Sequence, residues 1–152
     1  MFTKPLAGVV AAMLVAVIVG FIDSGFLFYK YITASSIDCL LFDGCNTVAK
    51  SPYSNIFGIP LPLFGIIFYS LMFLSVFFFA FRKTVFLGGI LLALGIVGFA
   101  FSLYFIFLQG FIIQAFCIYC LLSAFTSTVL LCSAIYAYQS VKVLNDVDVS
   151  GV

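Results

Sequence analysis

Five cysteines carry whatever chemistry this chain can do. Cys117 and Cys120 form a C-x2-C pair, Cys39 and Cys45 form a C-x5-C pair, and Cys132 stands apart. Positions i and i+3 share one face of a helix, and a disulfide needs Cα atoms within about 7 Å, so Cys117 and Cys120 can meet. Read as part of the first turn of a helix, Cys117 sits where the helix dipole favours a thiolate. A thiol of low pKa is also a better leaving group in exchange. There is no histidine, which excludes His-based catalytic triads, His-ligated haem and the commonest zinc and copper sites. Thiol redox chemistry is what remains.

The elements that hold these cysteines must lie in a membrane. Of the 152 residues, 66% are hydrophobic and 7% charged, against about 45–50% and about 25% in soluble domains, and so few charges could not cover a soluble surface. The net charge of +1 speaks against nucleic acid as a partner. Between Lys4 and Lys30 the only charge is Asp23, and the run is long enough to cross the roughly 30 Å of hydrocarbon. It reads as an uncleaved helix rather than a signal peptide, although Thr33-Ala34-Ser35-Ser36 faintly resembles a cleavage site. From Thr84 to Val141 there are 58 residues without a charge, about 87 Å as one helix, nearly three bilayer cores. That stretch must be two spans, with the turn at Gln109-Gly110 and Gln114. The expected architecture is all-α, a polytopic four-transmembrane-helix bundle with spans near 6–29, 61–81, 85–108 and 115–138. Together these make one membrane domain over 1–138, with a 30–60 loop between the first two helices and a polar, loosely ordered tail over 139–152.

Lys4, Arg82, Lys83 and Lys142 fall at one end of this bundle and Lys30 and Lys50 at the other. By the positive-inside rule both termini face the cytoplasm, and the 30–60 loop and the Gln109–Gln114 turn face outward. The expected location is the plasma membrane, with both cysteine pairs on its outer face, where disulfides persist. A static staple is the plainer reading of Cys39 and Cys45. Two dithiols on one face also permit a relay, a mobile pair meeting an outside protein and a fixed pair at membrane level. Cys132, about 18 Å along the helix from Cys120, is expected to be a buried small hydrophobe. Asp23 is expected to reach the interface or a polar groove, ahead of relaying protons. Gly88, Gly89, Gly95 and Gly98 should permit close helix contact, and most phenylalanines should face lipid or pack between helices.

The order of features resembles a known family. After the loop pair come Asn46-Thr47-Val48-Ala49-Lys50-Ser51-Pro52-Tyr53-Ser54, Phe57-Gly58-Ile59-Pro60-Leu61-Pro62, Gly65, Tyr69 and finally Phe116-Cys117-Ile118-Tyr119-Cys120. Over about 20–127 this is similar to the vitamin K epoxide reductase family in its prokaryotic form. The resemblance implies a four-helix bundle around a quinone pocket, with ubiquinone, menaquinone or a similar quinone as electron acceptor and no metal. It implies that Cys39 exchanges with an outside thiol protein, that Cys45 passes electrons to Cys117, and that Cys120 sits against the quinone ring. Ser51 matches the family serine near the pocket. Many bacterial members carry a fused thioredoxin-like domain, so ending at Val152 implies a separate thioredoxin-like or DsbA-like secreted partner. Vertebrate members have an asparagine at the start of the second span and a tyrosine one turn after the C-x2-C, where this sequence has Leu61 and Ala124. Their polar contacts to the quinone are therefore missing or replaced, with Ser51, Tyr119 and Ser123 as replacements, and epoxide reduction is put in doubt more than quinone reduction.

The function so implied is a quinone-dependent thiol-disulfide oxidoreductase that supports disulfide bond formation. A DsbB-type oxidase would place its C-x2-C before the wider pair, the reverse of the order here. A vitamin K epoxide or quinone reductase proper, a thiolate metal-binding membrane protein and a non-catalytic adaptor are the other readings.

Overall fold

The structure, a computed structural model, describes residues 3–33 and 44–150. Four long helices dominate it: α1 (Thr3–Ile32), α3 (Leu61–Phe81), α4 (Val85–Phe107) and α5 (Ile118–Ser150). Their membrane-crossing segments are Leu6–Ile32, Leu61–Phe81, Val85–Ile113 and Ile118–Val147. The chain is thus the all-α, four-span membrane bundle that its composition demands. In hydrocarbon no water satisfies a free backbone group, so each crossing must close its hydrogen bonds within itself. Four crossings leave the start of α1 and the end of α5 at one end of the bundle and the connections between α1 and α3 and between α4 and α5 at the other.

The α1–α3 connection is not plain loop. It contains a short helix α2 (Gly44–Ala49), a 3-10 turn (Pro52–Ser54) and a two-residue hairpin, β1 (Asn55–Ile56) with β2 (Ile59–Pro60). Asn55 pairs with Pro60 and Ile56 with Ile59. Phe57 and Gly58 make the turn at φ 53° and 82°. Both central residues of such a tight hairpin need positive φ, which glycine adopts freely. Pro60 caps α3 and Pro62 lies in its first turn, where a missing N–H costs no helical bond. The Tyr31 hydroxyl donates to Asn55 Oδ1 at 3.0 Å, tying the hairpin to α1.

The bundle has a packed half and a hollow half. Toward the termini, Met13 and Val17 of α1, Met72, Val76 and Phe79 of α3, Leu91 of α4 and Leu130, Ala134 and Ala137 of α5 form the dry core. Gly88 and Gly95 open the α4–α5 seam: a Cβ on Gly95 would stand 3.2 Å from the Leu131 Cα, and one on Gly88 would stand 3.4 Å from the Tyr138 Cα. The expected close approach at these glycines is therefore seen. Phe73, Phe77, Phe78 and Phe81 of α3 point outward, while Phe79 is fully buried.

Two expectations need correcting. Helix α5 runs on to Ser150 rather than giving way to a loose tail after 138. Cys132 is exposed on the bundle surface, not buried. The buried positions of α5 are Ala124, Thr126, Ser127, Leu130, Ala134, Ala137 and Val141. That i, i+3, i+4 spacing defines one face, and Cys132 lies on the opposite one.

Gly95→Val is expected to destabilise the bundle by about 1–3 kcal/mol, as overpacking a tight seam does. The check is the unfolding midpoint in detergent; an unchanged midpoint would mean that α4 and α5 do not meet as closely as the structure has them.

Candidate redox site

At the hollow end the α4–α5 connection is closed by an unusual device. After Phe107 the helix widens into one π-helical turn, Leu108–Ile113, and ends at Gln114 in the left-handed region, φ 54° and ψ 33°. The N–H groups of Gln114 and Ala115 both donate back to the Gln109 carbonyl. The Gln109 side chain, almost wholly buried, turns the other way, and its Oε1 accepts the backbone N–H of Cys117 at 2.9 Å. Helix α5 then begins at Ile118, with the Leu121 N–H donating to the Cys117 carbonyl. Cys117 is thus the cap of α5 rather than a member of its first turn, and the fourth span starts at 118 rather than 115.

An N-cap side chain is placed to accept the N–H groups of the second and third helical residues, and here that side chain is sulfur. Backbone N–H groups of Tyr119 and Cys120 and the Cys120 thiol all hydrogen-bond to it. The Cys120 thiol bond is the main reason that the Cys117 thiol is lowered to about 7; burial pushes the other way, and the two N–H groups reinforce the lowering. The Gln109 side chain also reaches Cys120.

Helix α2 is laid against this turn. A Cβ on Gly44 would fall 2.5 Å from the Phe116 carbonyl oxygen and 2.9 Å from its nitrogen, so only glycine lets α2 come this close. The approach presses Cys45 onto Cys117. The two are 1% and 2% exposed and pack together with Leu27, Val48, Ala49, Ile118, Tyr119 and Cys120. Cys45 is disulfide-bonded, whereas Cys117 and Cys120 are free thiols. Cys39 lies outside the described residues.

Below the cysteines opens a cavity of about 610 Å3, lined by all four long helices and by the α1–α3 connection. Cys45, Cys117 and Cys120 reach it, as do Ser51 and Ser123. Tyr119 is not among its lining residues; it packs on Phe26, ring centroids 5.2 Å apart. Ser51 donates to the Val48 carbonyl at 2.7 Å, holding the end of α2. Ser123 Oγ lies 2.9 Å from the Tyr69 hydroxyl, which is also 2.7 Å from Thr126 Oγ1. This α3–α5 link floors the cavity where the dry core begins. Leu61 lines the cavity as well, whereas Ala124 is buried within the helix packing. The walls are mainly apolar, from residues such as Phe64, Phe68, Leu94, Val97 and Phe101. The size and the few convergent polar groups suit a flat, largely apolar ring molecule. Among the described residues, no group of three His, Cys, Asp or Glu side chains is gathered as a metal site would need.

The family model described as the vitamin K epoxide reductase family matches residues 11–135. The chain belongs to that family. No curated protein matches it. Membership makes this vitamin K epoxide reductase family protein an oxidoreductase with a quinone-linked redox role, held in the membrane by its four apolar helices.

Reasoning from sequence used Gln109 only as a marker of the turn, left Tyr69 without a role and passed over Gly44. The available signal was Gln109 itself, a lone amide inside a long chargeless segment, where a polar group needs a partner. For Gly44 the sequence carries no such signal.

With Cys132 replaced by alanine, alkylation of Cys117 by iodoacetamide, followed on its own peptide, is expected to rise with pH about a midpoint near 7, because only the thiolate reacts. Cys120→Ala removes the principal lowering contact, so the midpoint should move up toward the ordinary thiol range. A midpoint that does not move would show that the Cys120 thiol does not hold the Cys117 thiolate.

Proposed function

We propose that this protein is a quinone-dependent thiol-disulfide oxidoreductase that drives disulfide formation outside the cytoplasm. A reduced, secreted thioredoxin-like or DsbA-like protein delivers two electrons to Cys39 and Cys45. Cys45 exchanges with Cys117, and the Cys117–Cys120 pair then reduces a membrane quinone such as ubiquinone or menaquinone to the quinol. The observation that carries this reading is the packing of Cys45 on Cys117 at the mouth of an apolar cavity that Cys120 also lines.

Two further points support it. The lowered pKa of Cys117 makes it a good leaving group in the exchange. Four of the six basic residues, Lys4, Arg82, Lys83 and Lys142, fall at the termini end, which supports a plasma-membrane orientation with cytoplasmic termini and the cysteines on the outer face. In this reading Ser51 and Ser123 shape the ring's cavity, Ser51 by holding the end of α2 over it and Ser123 through its link to Tyr69. Tyr119 acts from behind the cysteines, by packing on Phe26.

The test is anaerobic quinol formation by purified protein. Cys120→Ala is expected to abolish turnover with a small dithiol as donor. Cys39→Ala is expected to keep turnover with the small dithiol and to lose it with a thioredoxin-like protein donor. Retention of both routes by Cys39→Ala would overturn the relay order, and absence of quinol from wild type with several quinones would overturn the reading itself. Gly44→Ala, which forces α2 off the Phe116 backbone, is expected to slow turnover from the protein donor at least about tenfold, equivalent to about 1.4 kcal/mol on the barrier. Wild-type rates in that variant would show that the Cys45–Cys117 approach does not limit transfer.

A further inference from the structure

Reduction of a quinone by a dithiol moves protons as well as electrons. The two sulfurs become bonded to each other, their S–H bonds break, an electron pair enters the quinone, and each quinone oxygen gains one proton. In an apolar cavity below the membrane surface, water is a poor source for those protons, so a group of the protein has to carry them.

The polar side chains around the cavity are largely committed to the fold. Gln109 Oε1 accepts from the Cys117 N–H. The Tyr69 hydroxyl is shared with Ser123 and Thr126. Ser51 donates to Val48, and Ser102 Oγ lies 2.7 Å from Ser127 Oγ. Asp23 is the exception. It is 5% exposed, lines the cavity, and neither carboxyl oxygen has a hydrogen-bond partner among the described residues. Its neighbour Ser24 packs against Gly65, where a Cβ would meet the Ser24 side chain, so this stretch of α1 lies close against α3. An ionisable group placed inside a membrane span without a partner is costly, and such groups mark functional pathways.

We propose that Asp23 is the proton carrier of this site, passing a proton between the Cys117–Cys120 dithiol and an oxygen of the quinone. The inference rests on the quinone-reduction reading above and adds a residue that the thiol relay does not use. The geometry suits the task because Asp23 lines the same cavity as Cys117, Cys120 and Tyr69. A carboxyl can release a proton from one oxygen and receive one on the other, so it ends each cycle unchanged. The titratable groups facing it are Tyr69 from α3 and Cys117 and Cys120 at the start of α5. Lys30, further along α1, and Lys50 line the same cavity. Helix α4 contributes no ionisable side chain to the lining.

The experiment is a single turnover. Protein reduced beforehand is mixed anaerobically with a short-chain quinone, and quinol formation is followed. Asp23→Asn keeps the size and removes the exchangeable acid; its rate is expected to fall about 10²-fold, the scale of lost acid–base catalysis. Asp23→Glu should recover most of the rate. In Asp23→Ala, formate that enters the vacated space should speed the reaction in proportion to its concentration, which a purely structural role would not allow. Quinol formation by Asp23→Asn within threefold of wild type would overturn the proposal. So would slow Asp23→Glu and Asp23→Ala variants that formate does not accelerate. Failure of wild type to form any quinol would instead overturn the quinone-reduction reading, and this proposal with it.

Discussion

The bond from the Cys117 N–H to Gln109 Oε1 is the constraint on which the hollow end of the bundle depends. A helix start exposes N–H groups that need partners, and at membrane depth an unpaired one costs several kcal/mol. Gln109 satisfies the group just before α5 begins, and the widened turn 108–113 is what swings its side chain into position. With that N–H fixed, the Cys117 sulfur is left as the cap of α5 and the Cys120 thiol lies beside it. The Cys117 thiolate is thereby stabilised first by the Cys120 thiol and then by the backbone N–H groups of Tyr119 and Cys120, without a basic side chain. Helix α2 can dock against the same turn because Gly44 presents no side chain to Phe116.

The packed and hollow halves follow from which residues each helix offers to the axis. Toward the termini the inward positions are medium-sized and apolar, Met13, Val17, Met72, Val76, Leu91 and Leu130 among them, and they close completely. Beyond the Tyr69–Ser123–Thr126 link the inward positions include Gly65 and Gly98, which admit the Ser24 side chain and the Phe68 ring, and the small Ser102, and the cavity opens there. Tyr69 stands at the boundary. Its ring packs over Gly20 of α1 and beside Phe68, and its hydroxyl keeps α3 bonded to α5, so the void does not reach into the core.

Much of this was legible beforehand, for identifiable reasons. The four spans follow from runs of apolar residues bounded by charges and prolines, since bilayer thickness sets a minimum length. That Cys117 and Cys120 come together is legible in their three-residue spacing, although the structure joins them by capping, with Cys117 just before α5 and Cys120 in its first turn. The sequence also places the C-x5-C pair at the same end of the bundle as the C-x2-C, because two crossings, an even number, separate one pair from the other. Cys132 was misread because its own spacing to Cys120 does not say which face of α5 is covered; the neighbours Leu130 and Ala134 decide that. The tail after 138 was misread because its polar residues suggested a free end, although nothing in it forbids continuing a helix that tertiary packing has already nucleated.

What the sequence determined by itself is the reactive groups and the membrane setting: thiols without histidine, two cysteine pairs, four crossings and one acid in the first of them. These depend on residue type and on spacing along one element, quantities that local physics converts directly into structure. Only the tertiary structure decided that Cys45 lies on Cys117, that Tyr119 faces Phe26 rather than the cavity, that Cys132 faces away from the bundle, and that Asp23 lines the cavity beside the thiols. Those outcomes depend on how helices distant in sequence pack side by side, which spacing along one element does not encode.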